Sequence, residues 1–220
     1  KDLLAYPGYR TTWGAPQFSN QVLQIKATVA KRMDEAGAVL VAKLSLGALA
    51  QGDEWFGGQT RNPWNTEEGA SGSSSGSAAA VAAGLIPMAI GTETLGSIVS
   101  PSTRCGATGL RPTFGRVSRY GCMPLAWTLD KVGPIARSAE CCALVLAAIH
   151  GTDGLDPTVV DRAFTWPVTQ PLRDLTFGYI EAEGSPQDRE SLRILRDVGV
   201  KLAPIRLPED YPLDAMDMIL

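Results

Sequence analysis

Histidine is nearly absent: among 220 residues there is one, His150. A single imidazole excludes a multi-histidine metal centre. It also argues against a Ser-His-Asp triad, because histidine is the usual base that takes a serine's proton. His150 ends a helical stretch beside Gly151, where a cation suits a helix C-terminus, so its expected role is structural. Basic runs are missing too. Lys and Arg number 20 against 23 Asp and Glu, the net charge is −3 and the pI is about 5.2. Nothing here steers the chain toward nucleic acid or an anionic membrane, and no apolar run approaches the roughly 20 residues of a spanning helix. The four cysteines (Cys105, Cys122, Cys141, Cys142) lack C-x-x-C spacing and read as free thiols in a reducing compartment. No cofactor is implied, no secretory leader is legible, and a cytoplasmic location is expected. The start at Lys1 and the end inside an apparent helix suggest a segment of something longer.

What is present is an alternation of helical and extended patterns. Residues 18–37 carry apolar residues at helical spacing, with Ser19 or Asn20 as cap and Gly37 as stop; AVLVAKL (38–44) then reads as a buried strand. Helix followed by strand recurs at GSAAAVAAG to IPMAI, with Gly84 closing the helix, and at 190–199 to 200–207. Residues 138–150 fit a further helix and 175–181 a strand, while Pro, Gly and Asp make 151–174 a long surface loop. This alternation argues for an α/β domain with a largely parallel sheet. The whole chain, 1–220, counts as one domain.

The run GASGSSSGSAAAVAAG (69–84) is the most unusual stretch. A tether is excluded by its flanks, because a strong helix former and then a buried-type strand follow at once. Ser and Gly ahead of a helix resemble a cap loop able to hold an anion. The phosphate signature G-x-x-x-x-G-K-[ST] is excluded by the absence of lysine from the run. Activation of a serine remains. With histidine so scarce, the available base is a lysine whose pKa burial or neighbouring cations lower toward neutrality.

The segment from Gly69 to Arg119 resembles the amidase signature family, and the resemblance extends upstream through RMDEAGAVLVAKLSLGALA and RNPWN and downstream through LDKVGPIARSAE. Residues 151–220 match only in general α/β character. The resemblance implies a mixed, largely parallel sheet flanked by helices on both faces, in a domain truncated at both ends relative to the family. It implies hydrolysis of an amide, or of an ester or carbamate, by a Ser–Ser–Lys triad in which one serine follows a cis peptide bond. In GTETLGS the nucleophile would be Ser97, and the cis serine would be Ser73, 24 residues earlier, after Gly72. The triad lysine would be Lys1, in the sole Lys-Asp pair, in preference to Lys43, read as a polar strand-end residue in the active-site wall. Backbone N–H groups of Thr94, Leu95, Gly96 and Ser97 would face the oxyanion.

Ser71, Ser74, Ser75 and Ser77 are expected to bond locally to backbone or to allow close helix packing. Leu95 replaces the family's usual Gly and would narrow the pocket mouth; Val99 replaces an Arg, and Cys141 or Cys142 an Asp. Trp55, Phe56 and Trp127 could line an apolar pocket, although ordinary packing is the plainer role for each. The partner expected is a small-molecule amide or ester substrate, with no nucleic acid, no membrane, and a homo-oligomer left open. Two alternatives stay open: the glutaminase subunit of a tRNA-dependent amidotransferase, and a non-catalytic scaffold. The 220-residue piece by itself is expected to be weakly active or inactive.

Overall fold

The computed structural model describes residues 1–180 and 186–206. In chain order the elements are α1 (Thr28–Glu35), β1 (Glu54–Trp55), β2 (Gly58–Gln59), β3 (Arg61–Asn62), β4 (Asn65–Gly69), α2 (Ser75–Ala82), β5 (Met88–Glu93), α3 (Val99–Cys105), β6 (Thr108–Gly109), β7 (Lys131–Ala136), α4 (Ala139–Ile149), β8 (Thr176–Ile180), α5 (Pro186–Asp197) and β9 (Lys201–Ile205). They fall into two compact units, Lys1–Trp166 and Pro167–Leu220, where the sequence suggested one domain; the boundary lies inside the irregular stretch 151–174.

The fold is mixed α/β. In the first unit β7 is the central strand of a three-stranded sheet, antiparallel to both β5 and β6, and the short pairs β1–β2 and β3–β4 are also antiparallel. Among the described residues β8–β9 in the second unit is the parallel strand pair, joined through α5 as a crossover requires, and one isolated parallel bridge links Val117 to Gly151 in the first unit. The alternation of helix and strand could not distinguish these cases, because β7, the strand that reverses direction, lies in KVGPIA and has no helix-then-strand signature. Two apolar clusters cover the sheet. Ala78, Val81, Ile98, Cys105 and Ile135 join α2 and α3 to it. Val29, Val117, Val132, Val145, Leu146 and Ile149 bring in α1 and α4.

Helix ends follow their sequence signals more closely than strands do. Ser138 accepts the Cys141 N–H at 3.2 Å and caps α4 where expected. At the end of α1, Ala38 N–H returns to the Met33 carbonyl and Gly37 N–H to that of Asp34, the bonding of a glycine-terminated helix. The same pattern links Leu85 to Ala80 and Gly84 to Val81 after α2. However, the helix expected over 18–37 is restricted to Thr28–Glu35. Its first half instead pairs with the preceding turn: Arg10 bridges Val22, and Thr11 N–H donates to the Gln21 carbonyl at 2.9 Å. Residues 38–44 do not form the expected buried strand. Val39 and Val41 are 82% and 70% exposed, and no ladder includes them among the described residues.

The loop 151–174 is irregular, as composition implied, but its start is anchored. Asp153 accepts the hydroxyls of Thr28 and Ser118, and buried Asp156 pairs with Arg119 at 3.0 Å. All four cysteines are free. His150 caps α4, its Nδ1 3.1 and 3.0 Å from the Leu146 and Ala147 carbonyls. Residues 181–185 and 207–220, with the ends of two expected strands, lie outside the described residues.

Candidate active site

The site forms where the serine-rich run is attached to β5. Ser74 Oγ donates to the Thr92 carbonyl (3.1 Å) and accepts the Thr92 N–H (3.2 Å), and Ser77 Oγ donates to the Ile90 carbonyl (3.1 Å). Ser75 Oγ donates to Thr60 Oγ1 at 3.2 Å. Ser74, Ser75 and Ser77 therefore bond across the fold rather than locally, and Ser75 and Ser77 are buried within α2. The result is a buried, hydrogen-bonded seam that fixes the start of α2 against the sheet.

Ser73 sits at the head of this seam, 1% exposed, after a cis Gly72–Ser73 peptide. Gly72 is obligatory for space: a Cβ there would fall 1.7 Å from the Gly52 carbonyl oxygen. Lys1 reaches the same point from the first residue. Its Nζ donates to Ser73 Oγ at 2.7 Å, to Thr92 Oγ1 at 2.8 Å and to the Thr92 carbonyl at 3.4 Å. Burial of this ammonium lowers its pKa to about 7, against the opposing pull of the Asp130 and Glu93 carboxylates. The lowered pKa favours the free amine, held in hydrogen-bond contact with a serine hydroxyl.

Lys43 occupies a different environment. Its Nζ lies 2.9 Å from Asp2 Oδ1 and donates to the Leu4 carbonyl (2.6 Å) and Thr11 Oγ1 (2.9 Å). Asp2 Oδ2 accepts the Thr12 N–H (2.8 Å) and hydroxyl (2.5 Å). Lys43 is a structural cation.

Ser97 is half-buried on the turn after β5. Its carbonyl accepts the Ser74 N–H at 3.1 Å, so the backbone holds the two serine segments together. Its hydroxyl makes no hydrogen bond among the described residues, to Ser73 or otherwise. The turn itself is held at both ends. Buried Glu93 reaches over it to accept the N–H groups of Ile98 (2.8 Å) and Val99 (2.9 Å), and Arg111 approaches its other oxygen at 3.7 Å. At the near end the Thr94 hydroxyl donates to Asp130 (2.5 Å), and Lys131 Nζ donates to the Thr94 carbonyl (3.0 Å). Gly96 lies within the turn at φ +94°, a conformation L side chains rarely adopt, and its carbonyl accepts the Ser100 N–H. Leu95 projects outward, 54% exposed.

Sequence reasoning missed Thr92, Glu93 and Asp130. The available signal was three polar residues (Thr92, Glu93, Thr94) closing an otherwise apolar strand, an unfavourable burial unless each has a partner. A cavity of about 220 Å³ opens beside Thr92 and Thr94, walled by Leu3, Met123 and Val132 among others, with Trp127 at its rim. Trp55 and Phe56 are not part of it; their rings pack on each other at 4.6 Å. Among the described residues no cluster is placed to hold a metal ion, and no helix is long and apolar enough to cross a membrane.

Residues 1–210 match the Amidase family, and the chain belongs to that family, the amidase-signature enzymes. Curated relatives include a glutamyl-tRNA(Gln) amidotransferase subunit of Roseiflexus sp. (strain RS-1), 42% identical over 94% of this chain and 46% of its own length. The crystal structure of the same-named subunit from Thermotoga maritima superposes with a TM-score of 0.91 at 34% identity, covering all of this chain and 52% of that one. The peptide amidase of Stenotrophomonas maltophilia gives a TM-score of 0.83 at 36% identity, over 94% of this chain and 47% of that one. The chain thus spans about half the length of the relatives it matches.

Proposed function

We propose that the chain carries the reacting half of an amide hydrolase working through Ser97, Ser73 and Lys1. The observation that supports it most is the 2.7 Å contact between Ser73 and a buried lysine of lowered pKa. Neutral Lys1 accepts the Ser73 proton while Ser73 accepts that of Ser97, whose Oγ bonds to the scissile carbonyl carbon. The carbonyl electrons move to oxygen, and N–H groups of the turn from Thr94 to Ser97 stabilise that oxyanion, each donor contributing around 3 kcal/mol. Collapse breaks the C–N bond, and the relayed proton leaves on the amine. Water then attacks the acyl-serine by the same relay and releases the acid. The substrate class is a small amide, with an ester or carbamate reacting by the same steps; no cofactor enters.

A fluorophosphonate probe tests this in the full-length protein. Labelling should map to Ser97, and amide turnover should fall by about 10⁴-fold or more in Ser97→Ala. Labelling elsewhere, or turnover surviving the substitution, would refute the assignment. The name of the relatives, as subunits of a glutamyl-tRNA(Gln) amidotransferase, favours a second reading: a glutaminase that works with partner proteins. Glutamine hydrolysis that appears only with such partners would select it. A well-folded full-length protein that never takes the probe would select a scaffold.

A further inference from the structure

The cavity beside Thr92 and Thr94 has four charged residues in its wall, Arg119, Asp130, Lys131 and Asp156, and each is already engaged. Arg119 spends its guanidinium on Asp156, Thr158 Oγ1 and the Trp127 carbonyl. Asp130 accepts from Thr94 Oγ1 and from the N–H groups of Leu125 (2.7 Å) and Ala126 (3.0 Å). Asp156 also accepts from the Thr158 N–H and hydroxyl, and Lys131 donates to the Thr94 carbonyl. Between them stand Leu3, Met123, Leu125, Trp127, Val132 and Leu155. Arg119 and Asp156 pair with each other and Asp130 is occupied by three donors, so a charged ligand group entering this space would lose its water with only the carbonyl-bonded Lys131 ammonium to face, a cost that an apolar group escapes.

Resting on the amidase reading above, we propose that this cavity receives an uncharged apolar substituent of the substrate, so the protein prefers aryl or alkyl carboxamides to amino-acid amides such as glutamine. The cavity adjoins Thr92, which holds Lys1, and Thr94, which opens the oxyanion turn. Lys1, Ser73 and Ser97 are not in its wall, so a substituent seated there is separated from them by Thr92 and Thr94. It could lie on the acyl or the amine side of the bond, and the shared requirement is a neutral hydrocarbon surface.

Full-length protein is assayed with phenylacetamide (apolar acyl side), N-benzylacetamide (apolar amine side), acetamide and glutamine. At least one aryl amide should exceed both acetamide and glutamine in kcat/KM by about tenfold or more, and which one it is assigns the side. Trp127→Ala and Leu155→Asp alter exposed rim side chains without touching the core. Each should lower that aryl amide's kcat/KM by about tenfold and leave acetamide unchanged. Calorimetry on Ser97→Ala protein reads the same cavity without turnover: the favoured aryl amide should bind, and Leu155→Asp should weaken it by a similar factor. Glutamine equalling the aryl amides, or rim variants that slow acetamide and aryl amides alike, would overturn the proposal. If Ser97 takes no probe and no amide is cleaved, the triad assignment falls, while the binding arm still decides the cavity.

Discussion

Two lysines of the same unit, Lys1 buried and Lys43 partly buried, differ in what each ammonium is given to face. Lys43 meets a carboxylate at 2.9 Å, and that carboxylate is itself braced by Thr12. Lys1 meets a serine hydroxyl and the hydroxyl and carbonyl of Thr92, all neutral. A carboxylate partner stands against one. Burial without a bonded counterion erodes the charge of the other, to a pKa of about 7. A lysine becomes a base when the fold withholds its partner. The adjacent residue, Asp2, is the carboxylate that could have neutralised Lys1, and it is turned to Lys43 instead.

Substitution of Lys1 should separate the two lysines most severely. In the full-length protein Lys1→Ala should lower kcat by about 10²- to 10⁴-fold with the fold intact, since a positioned base contributes on that scale. Circular dichroism and probe labelling check the two halves of that statement, and near-normal turnover would remove Lys1 from the mechanism. The same assignment fixes a pH profile. A base is active when unprotonated, so kcat/KM should rise with pH and reach half its plateau near pH 7. A half-point near 10 would mean that burial has not made Lys1 a free amine.

Lys43→Met should move stability rather than chemistry. Removing one partner of a buried pair leaves Asp2 charged and uncompensated, which costs about 3 kcal/mol. Urea unfolding should show that loss as a lower midpoint, while the folded fraction keeps kcat within a few-fold of the parent. A large fall in kcat with unchanged stability would invert the assignment of the two lysines.

How far this contrast is legible in the sequence depends on the kind of information each residue carries. Ser73, Ser97 and Lys1 are proposed from an ordered motif; in the fold Lys1 Nζ lies 2.7 Å from Ser73 Oγ, and the Ser97 hydroxyl is bonded to neither. An alanine-rich run closed by Gly84 suffices for α2, and apolar spacing after the Ser138 cap for α4, because those signals are local. Pairing partners are not local. Residues 38–44 have the composition of a strand, yet a strand exists only where another chain segment accepts its hydrogen bonds. Likewise nothing in the local sequence places Thr92 against Lys1, directs Asp2 to Lys43, or folds Glu93 back over the turn that carries Ser97. Such contacts span up to 91 residues in the chain, so sequence patterns identify polar residues that need partners without saying which partner each one finds.

Glu93 gives the smallest and most discriminating test, because it is one of the carboxylates near Lys1 that the fold has engaged elsewhere and it also holds the turn that carries Ser97. Its charge raises the Lys1 pKa from a distance, while its oxygens hold the Ile98 and Val99 N–H groups. Glu93→Gln keeps one oxygen acceptor and removes the charge. The turn should loosen only in part, lowering kcat by about tenfold with KM little changed, as for a group felt mainly in the transition state. Removing a negative charge also disfavours the ammonium, so the half-point of the kcat/KM profile should move below that of the parent. A merely structural residue would slow the enzyme without moving the profile. If the half-point stays fixed while kcat falls, Glu93 acts through the turn alone, and the tuning of Lys1 rests on burial and on Asp130.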